Sequence, residues 1–124
     1  MNDPREEKAV RELIQRYKDG TYQADVEKLR GVFHEKAVMN GYLGPNLLIG
    51  DPTPFIEDMG GSPSMESNND PFEAEIRDLV IVGDCASLAF YETGFRGDAS
   101  IVDFFHCIKT DGEWKIISKL FTTM

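Results

Sequence analysis

The chain has 124 residues, of which 41% are hydrophobic and 28% charged, and its formal net charge is −9. That length suits one domain, residues 1–124, able to bury a core without disulfides or metals. The charge balance disfavours nucleic acid and anionic membranes, no apolar run approaches the roughly 18 residues of a membrane span, and the polar opening Met1-Asn2-Asp3-Pro4-Arg5-Glu6-Glu7 does not read as a signal peptide.

A first helix is expected from Pro4 to Asp19. Asp3 can cap it, Pro4 fits the first turn, Glu6 stands at the capping-box position, and Gly20 ends it. Val10, Leu13, Ile14 and Tyr17 recur at i, i+3, i+4 and i+7, which makes one apolar face. A second, short helix starts near Asp25 and carries Val26, Leu29 and Val32-Phe33. An extended pair follows, Ala37–Asn40 and Leu47–Ile49, around the turn Gly44-Pro45-Asn46. Asp51-Pro52-Thr53-Pro54 opens a third helix through Met59. The stretch from Gly60 to Pro71, rich in Gly, Ser, Pro and Asn, reads as a mobile loop, either a pocket border or a plain connector.

The second half is all strand. Phe72–Val82, Cys85–Phe95, Ser100–Thr110 and Glu113–Thr123 are separated by Gly83-Asp84, Arg96-Gly97-Asp98-Ala99 and Asp111-Gly112, which are hairpin turns. Helices first and a long antiparallel meander after them predict an α+β domain with helices on one face of a curved sheet. Cys85 and Cys107 both lie in apolar runs and read as buried, inert thiols. Two cysteines and two distant histidines do not make a closed zinc site, so neither metal nor cofactor is expected, and a cytoplasmic setting is the simplest.

The turns suggest a register that pairs Glu92 with Asp103 and Cys107 with Ile116. Alternation then sorts the strands into two faces. Leu88, Phe90, Glu92, Asp103, Phe105, Trp114, Ser118 and Leu120 fall on the helix-facing side. Phe104, His106, Ile117, Lys119 and Phe121 fall on the outer side, whose apolar content predicts a homodimer through Phe104, His106, Ile117 and Phe121. A bulge or a one-residue slip would exchange these assignments.

Glu92 and Asp103 therefore come out as neighbouring carboxyls on the inner face. If buried, one of them keeps a proton near neutral pH and can donate a hydrogen bond or act as a general acid. If they lie at a wet end of the sheet, or if Arg77 neutralises one, they do not. Tyr17 on the core face of the first helix can extend its hydroxyl into the same space, or be a plain core aromatic. His34 suits a helix C-terminus. His106 is three residues from Asp103 on one strand, so the two point to opposite faces and form no dyad.

Two sets of motifs carry a family resemblance over nearly the whole chain. Tyr17-x-x-Gly20, Asp25-Val26-Glu27-Lys28-Leu29 and Phe33-His34-Glu35-Lys36-Ala37 resemble the opening of SnoaL-like, nuclear-transport-factor-2-like proteins. Gly83-Asp84-Cys85-Ala86-Ser87, Val102-Asp103-Phe104-Phe105-His106-Cys107-Ile108-Lys109 and Asp111-Gly112-Glu113-Trp114-Lys115-Ile116-Ile117 are similar to the putative lumazine-binding branch. The resemblance implies a cone-shaped, cystatin-like α+β barrel, usually dimeric, with an apolar pocket between helices and sheet. In the ketosteroid isomerases of that superfamily, a helix tyrosine eight residues before the aspartate opening the second helix polarises the substrate carbonyl. Tyr17 and Asp25 match that spacing. The isomerase base is a first-strand aspartate, and the matching segment here, Met39-Asn40-Gly41, has no carboxylate. Scytalone-dehydratase-like chemistry would need His34 to meet Asp103.

Two functions follow as expectations. The first is a small-molecule-binding domain whose planar or hydrophobic ligand bonds to Tyr17, Asn40, Glu92 or Asp103 and stacks on Phe90, Phe105 or Trp114. The second is a cofactor-free isomerase, dehydratase or cyclase that uses Tyr17 with Glu92 or Asp103, with His34 as a further candidate.

Overall fold

The computed structural model describes residues 2–124; Met1 lies outside the described residues. Three helices, α1 (Pro4–Gln23), α2 (Val26–Val32) and α3 (Thr53–Gly60), pack on a six-stranded mixed sheet. The strands are β1 (Phe33–Leu43), β2 (Asn46–Gly50), β3 (Glu73–Val82), β4 (Cys85–Phe95), β5 (Ala99–Thr110) and β6 (Glu113–Thr123). Their order is β2-β1-β6-β5-β4-β3, with β1 parallel to β6 and every other pair antiparallel. The fold is α+β, and the expected four-stranded meander forms its larger part.

Asp3 caps α1 by accepting from the Arg5 amide. The helix does not stop at Gly20; it continues to Gln23 and ends where Ala24 turns left-handed. Gly20 serves packing instead. A Cβ there would lie 3.1 Å from the Leu29 side chain, so its absence lets α2 approach α1 closely. Glu6 does not close a capping box either. Its carboxylate accepts from Lys109 Nζ (2.8 Å) and Trp114 Nε1 (2.6 Å), tying the first turn of α1 to β5 and β6.

Val10, Leu13, Ile14 and Tyr17 are all buried, as the helical spacing predicts. Tyr17 meets Phe90 and Phe105 of the sheet edge-on, with ring centres 6.0 and 5.0 Å apart. Four of the five strand pairs carry register shifts, and a bulge at such a position adds a local kink and twist. Three residues of β1 are extra between Phe33 and Val38 relative to β6.

Two loop and thiol expectations are corrected. The segment from Gly60 to Pro71 is pinned: Met65 is buried, Glu66 N donates to Tyr22 O, and Arg96 N donates to Met65 Sδ. Cys107 is buried, and burial pushes its thiol up to about 12. Cys85, at the start of β4 beside a turn, is exposed.

Candidate functional site

A cavity of about 520 Å³ opens between the helices and the sheet, within the range of small-molecule sites. Leu43, Leu48 and Ile49 of the β1–β2 hairpin and Pro54 of α3 line its mouth, where both elements are exposed. Arg96 lines it too, held by Asp58 at 3.0 Å. Phe55 and Phe121 are among its walls. Its inner end gathers four polar side chains, Tyr17, Glu92, Asp103 and Lys119, and all four are buried.

The backbone register decides that gathering. Gly94 adopts a left-handed φ of 69°, and a Cβ there would meet the Pro71 carbonyl oxygen at 2.1 Å. The irregularity it marks shifts the β4–β5 register between Glu92 and Phe95. Asp103 consequently pairs with Phe90, and Glu92 with Ile101, so the carboxyls are diagonal neighbours rather than directly opposite as the turns suggested. A shift of two residues leaves both on the inner face.

The bulge in β5–β6 has a larger effect. Cys107 pairs with Ile116 as expected, but His106 pairs with Ser118, which leaves Ile117 as the extra residue. Beyond that point the faces exchange. Lys119 and Phe121 turn inward and are 4% and 6% exposed, while Leu120 turns outward and is 52% exposed. The expected placements of Ser118 and Leu120 inside, and of Lys119 and Phe121 outside, are therefore reversed. Gly41 in β1 accommodates the inward Phe121 strand: a Cβ there would lie 1.9 Å from the Phe121 carbonyl oxygen.

Lys119 is thus the cation of the cavity's inner end. Its Nζ donates to the Tyr17 hydroxyl oxygen at 2.5 Å, stands 3.9 Å from Asp103 Oδ1, and lies 3.9 Å from the centre of the Phe55 ring. Arg77, the other candidate, pairs with Glu75 and stacks on Tyr91. Burial pushes the Glu92 carboxyl well above its ordinary range, and the Asp103 charge adds to this against the opposing pull of Lys119. Burial, then the charges of Asp103 and Glu92, raise the Tyr17 hydroxyl well above its usual value. The tyrosine therefore keeps its proton, and Asp103 is the buried acceptor beside it. Glu92 Oε1 and both Asp103 oxygens are buried with no hydrogen-bond donor.

The remaining predicted residues stand elsewhere. Asn40 is on the outer side of β1, where its Oδ1 accepts from Gly50 N, so it is not a cavity group. Trp114 is committed to Glu6 at the far end of α1. Phe90 and Phe105 pack behind Tyr17 and do not line the cavity. His34 sits at the start of β1 and accepts from the Lys36 amide, so it does not meet Asp103. Sequence reasoning missed Lys119, Phe121 and Phe55. The pair Ile116-Ile117, two apolar residues in a row within an alternating strand, was the signal for the bulge that brings in the first two.

The model of the family described as "Putative lumazine-binding" matches residues 5–122, and the chain belongs to that family. Among solved structures it is similar to an NTF2-like protein of unknown function from Silicibacter pomeroyi DSS-3, at a TM-score of 0.88 and 22% identity over 100% of both chains. An NTF2-like protein of unknown function from Shewanella baltica OS155 matches at 0.86 and 24% identity, over 100% of this chain and 98% of that one. A domain of unknown function with a cystatin-like fold from Nostoc punctiforme PCC 73102 matches at 0.75 and 17% identity, over 99% and 80%. At these identities the likeness establishes the NTF2-like, cystatin-like fold. Comparison with curated proteins gave no match.

Proposed function

We propose that this member of the putative lumazine-binding family holds a small, flat, largely apolar molecule in the cavity between its helices and sheet. One observation carries the reading: an apolar-walled space of about 520 Å³ ends in four convergent polar groups, Tyr17, Glu92, Asp103 and Lys119. Aromatic rings at Phe55 and Phe121 suit a planar ligand, and the polar end would orient it. Thermal-shift and calorimetric titration against lumazine, riboflavin and related heterocycles tests this. A ligand at 100 times its Kd should stabilise the fold by about 2.7 kcal/mol. Absence of stabilisation by every member of the panel would remove the reading.

A second reading, a cofactor-free acid–base enzyme of the isomerase, dehydratase or cyclase kind, is favoured by proton-bearing Glu92 and Tyr17 beside the Asp103 carboxylate. Such a set can polarise a carbonyl and move a proton between carbons. The first-strand segment supplies no carboxylate, since Met39 lines the cavity and Asn40 is on the outer side, so Asp103 would be the base and Glu92 the acid. Asp103→Asn would then abolish turnover in protein whose fold is checked by circular dichroism; unchanged turnover would exclude Asp103 from that role.

The outer sheet face belongs to the same reading as a contact with a second copy of the chain. Phe104 is 47% exposed and pairs across the sheet with Leu120, and Val38 and Tyr42 of the adjoining β1 are exposed on the same side. His106 is exposed there, Ile117 sits at the bulge, and Phe121 is replaced by Leu120 in this surface. No helix among the described residues is long and apolar enough to cross a membrane. The free thiols of Cys85 and Cys107 accord with a cytoplasmic setting.

A further inference from the structure

Three buried oxygens at the inner end of the cavity, Glu92 Oε1, Asp103 Oδ1 and Asp103 Oδ2, have no donor. Buried acceptors without partners are rare, because each forfeits the hydrogen bond it made with water. Lys119 does not satisfy them. At 3.9 Å from Asp103 Oδ1 it neutralises charge without making a hydrogen bond, and one of its protons goes to Tyr17. A proton on Glu92 can bridge to one Asp103 oxygen, which still leaves at least one acceptor open. Beside these acceptors stand the remaining N–H groups of Lys119, while the Tyr17 hydroxyl has Asp103 as its own acceptor neighbour.

The inner end therefore offers an acceptor and donors side by side, with the lysine ammonium and the aspartate carboxylate balancing each other. An anionic ligand head would face Asp103, and a cationic one would face Lys119. A ketone or ether would use the donors and leave Asp103 open. Resting on the ligand-pocket reading above, we propose that the site recognises a neutral lactam or imide edge, –CO–NH–, of a flat heterocycle. The ring carbonyl accepts from Lys119, the adjacent ring N–H donates to an Asp103 oxygen, and the ring lies against Phe55.

Isosteric fragment pairs test this on the intact protein. Quinolin-2-one carries the lactam edge, and coumarin has the same shape and carbonyl with ring oxygen in place of N–H. Both are titrated by calorimetry and by protein-observed NMR, with lumazine and its 1,3-dimethyl derivative as a second pair. The expected result is at least tenfold tighter binding of the N–H member of each pair that binds. Asp103→Asn should shrink that ratio, and Lys119→Met should weaken both members. Equal affinities within a pair, or binding of coumarin alone, would overturn the lactam assignment while leaving the ligand pocket standing. Binding of none of the four would overturn it together with a heterocycle pocket.

Discussion

Replacing Lys119 by Met keeps an unbranched, apolar-packing side chain among Phe55, Phe121 and Tyr17 and removes only the ammonium. The Asp103 carboxylate, 0% exposed, then has no cation. Unit charges 3.9 Å apart attract by about 4 kcal/mol at an effective dielectric near 20. Removing one partner of a buried pair typically costs about 3–5 kcal/mol, because the survivor is left charged and unpaired. Lys119→Met should therefore destabilise the fold by about 3–4 kcal/mol at pH 7. Urea unfolding at pH 7 measures this, and the double variant Lys119→Met/Asp103→Asn should recover most of the loss. A loss below about 1 kcal/mol, or a double variant no more stable than Lys119→Met, would refute the buried pair as the organiser of the site.

Three further outcomes are expected. Glu92 titrates higher folded than unfolded, so its proton contributes stability that is fully present below the ordinary Glu value and is lost as pH rises toward the folded value. Relative to Glu92→Gln, the parent should gain stability as pH falls from 8 to 4, and urea curves with the opposite trend would contradict the protonated carboxyl. Gly41→Ala forces a methyl against the Phe121 carbonyl oxygen and should cost about 1–3 kcal/mol by thermal unfolding; a neutral result would contradict the tight β1–β6 approach. Phe104→Asp on the outer face should turn a dimer into a monomer by light scattering at micromolar concentration, with the fold retained by circular dichroism; a parent that is already monomeric would remove the paired-face proposal.

Most of the architecture was legible because it depends on local patterns. The 3.6-residue spacing of Val10, Leu13, Ile14 and Tyr17, the caps at Asp3 and Asp25, and the Gly-containing turns each act within a few residues. What failed was non-local. Gly20 looked like a helix stop because its packing partner, Leu29, belongs to the next helix. Glu6 looked like a capping residue because Lys109 and Trp114 are some hundred residues away in sequence. The inner-face positions of Glu92 and Asp103 survived a two-residue register error, since strand alternation has period two. The placement of Lys119 did not survive a one-residue bulge, for the same reason. The buried cation of the cavity's inner end was thereby assigned to the wrong side of the sheet.

The measurement closest to the central claim is calorimetric titration of the heterocycle panel into the parent protein, Asp103→Asn and a cavity-filling Ile101→Trp variant. Ile101 lines the cavity, so a tryptophan there occupies the space a ligand would use. A ligand pocket closed by Tyr17, Glu92, Asp103 and Lys119 predicts one bound heterocycle per chain in the parent, weaker binding in Asp103→Asn, and none in Ile101→Trp. Equal binding by all three proteins, or no binding to the parent, would contradict it.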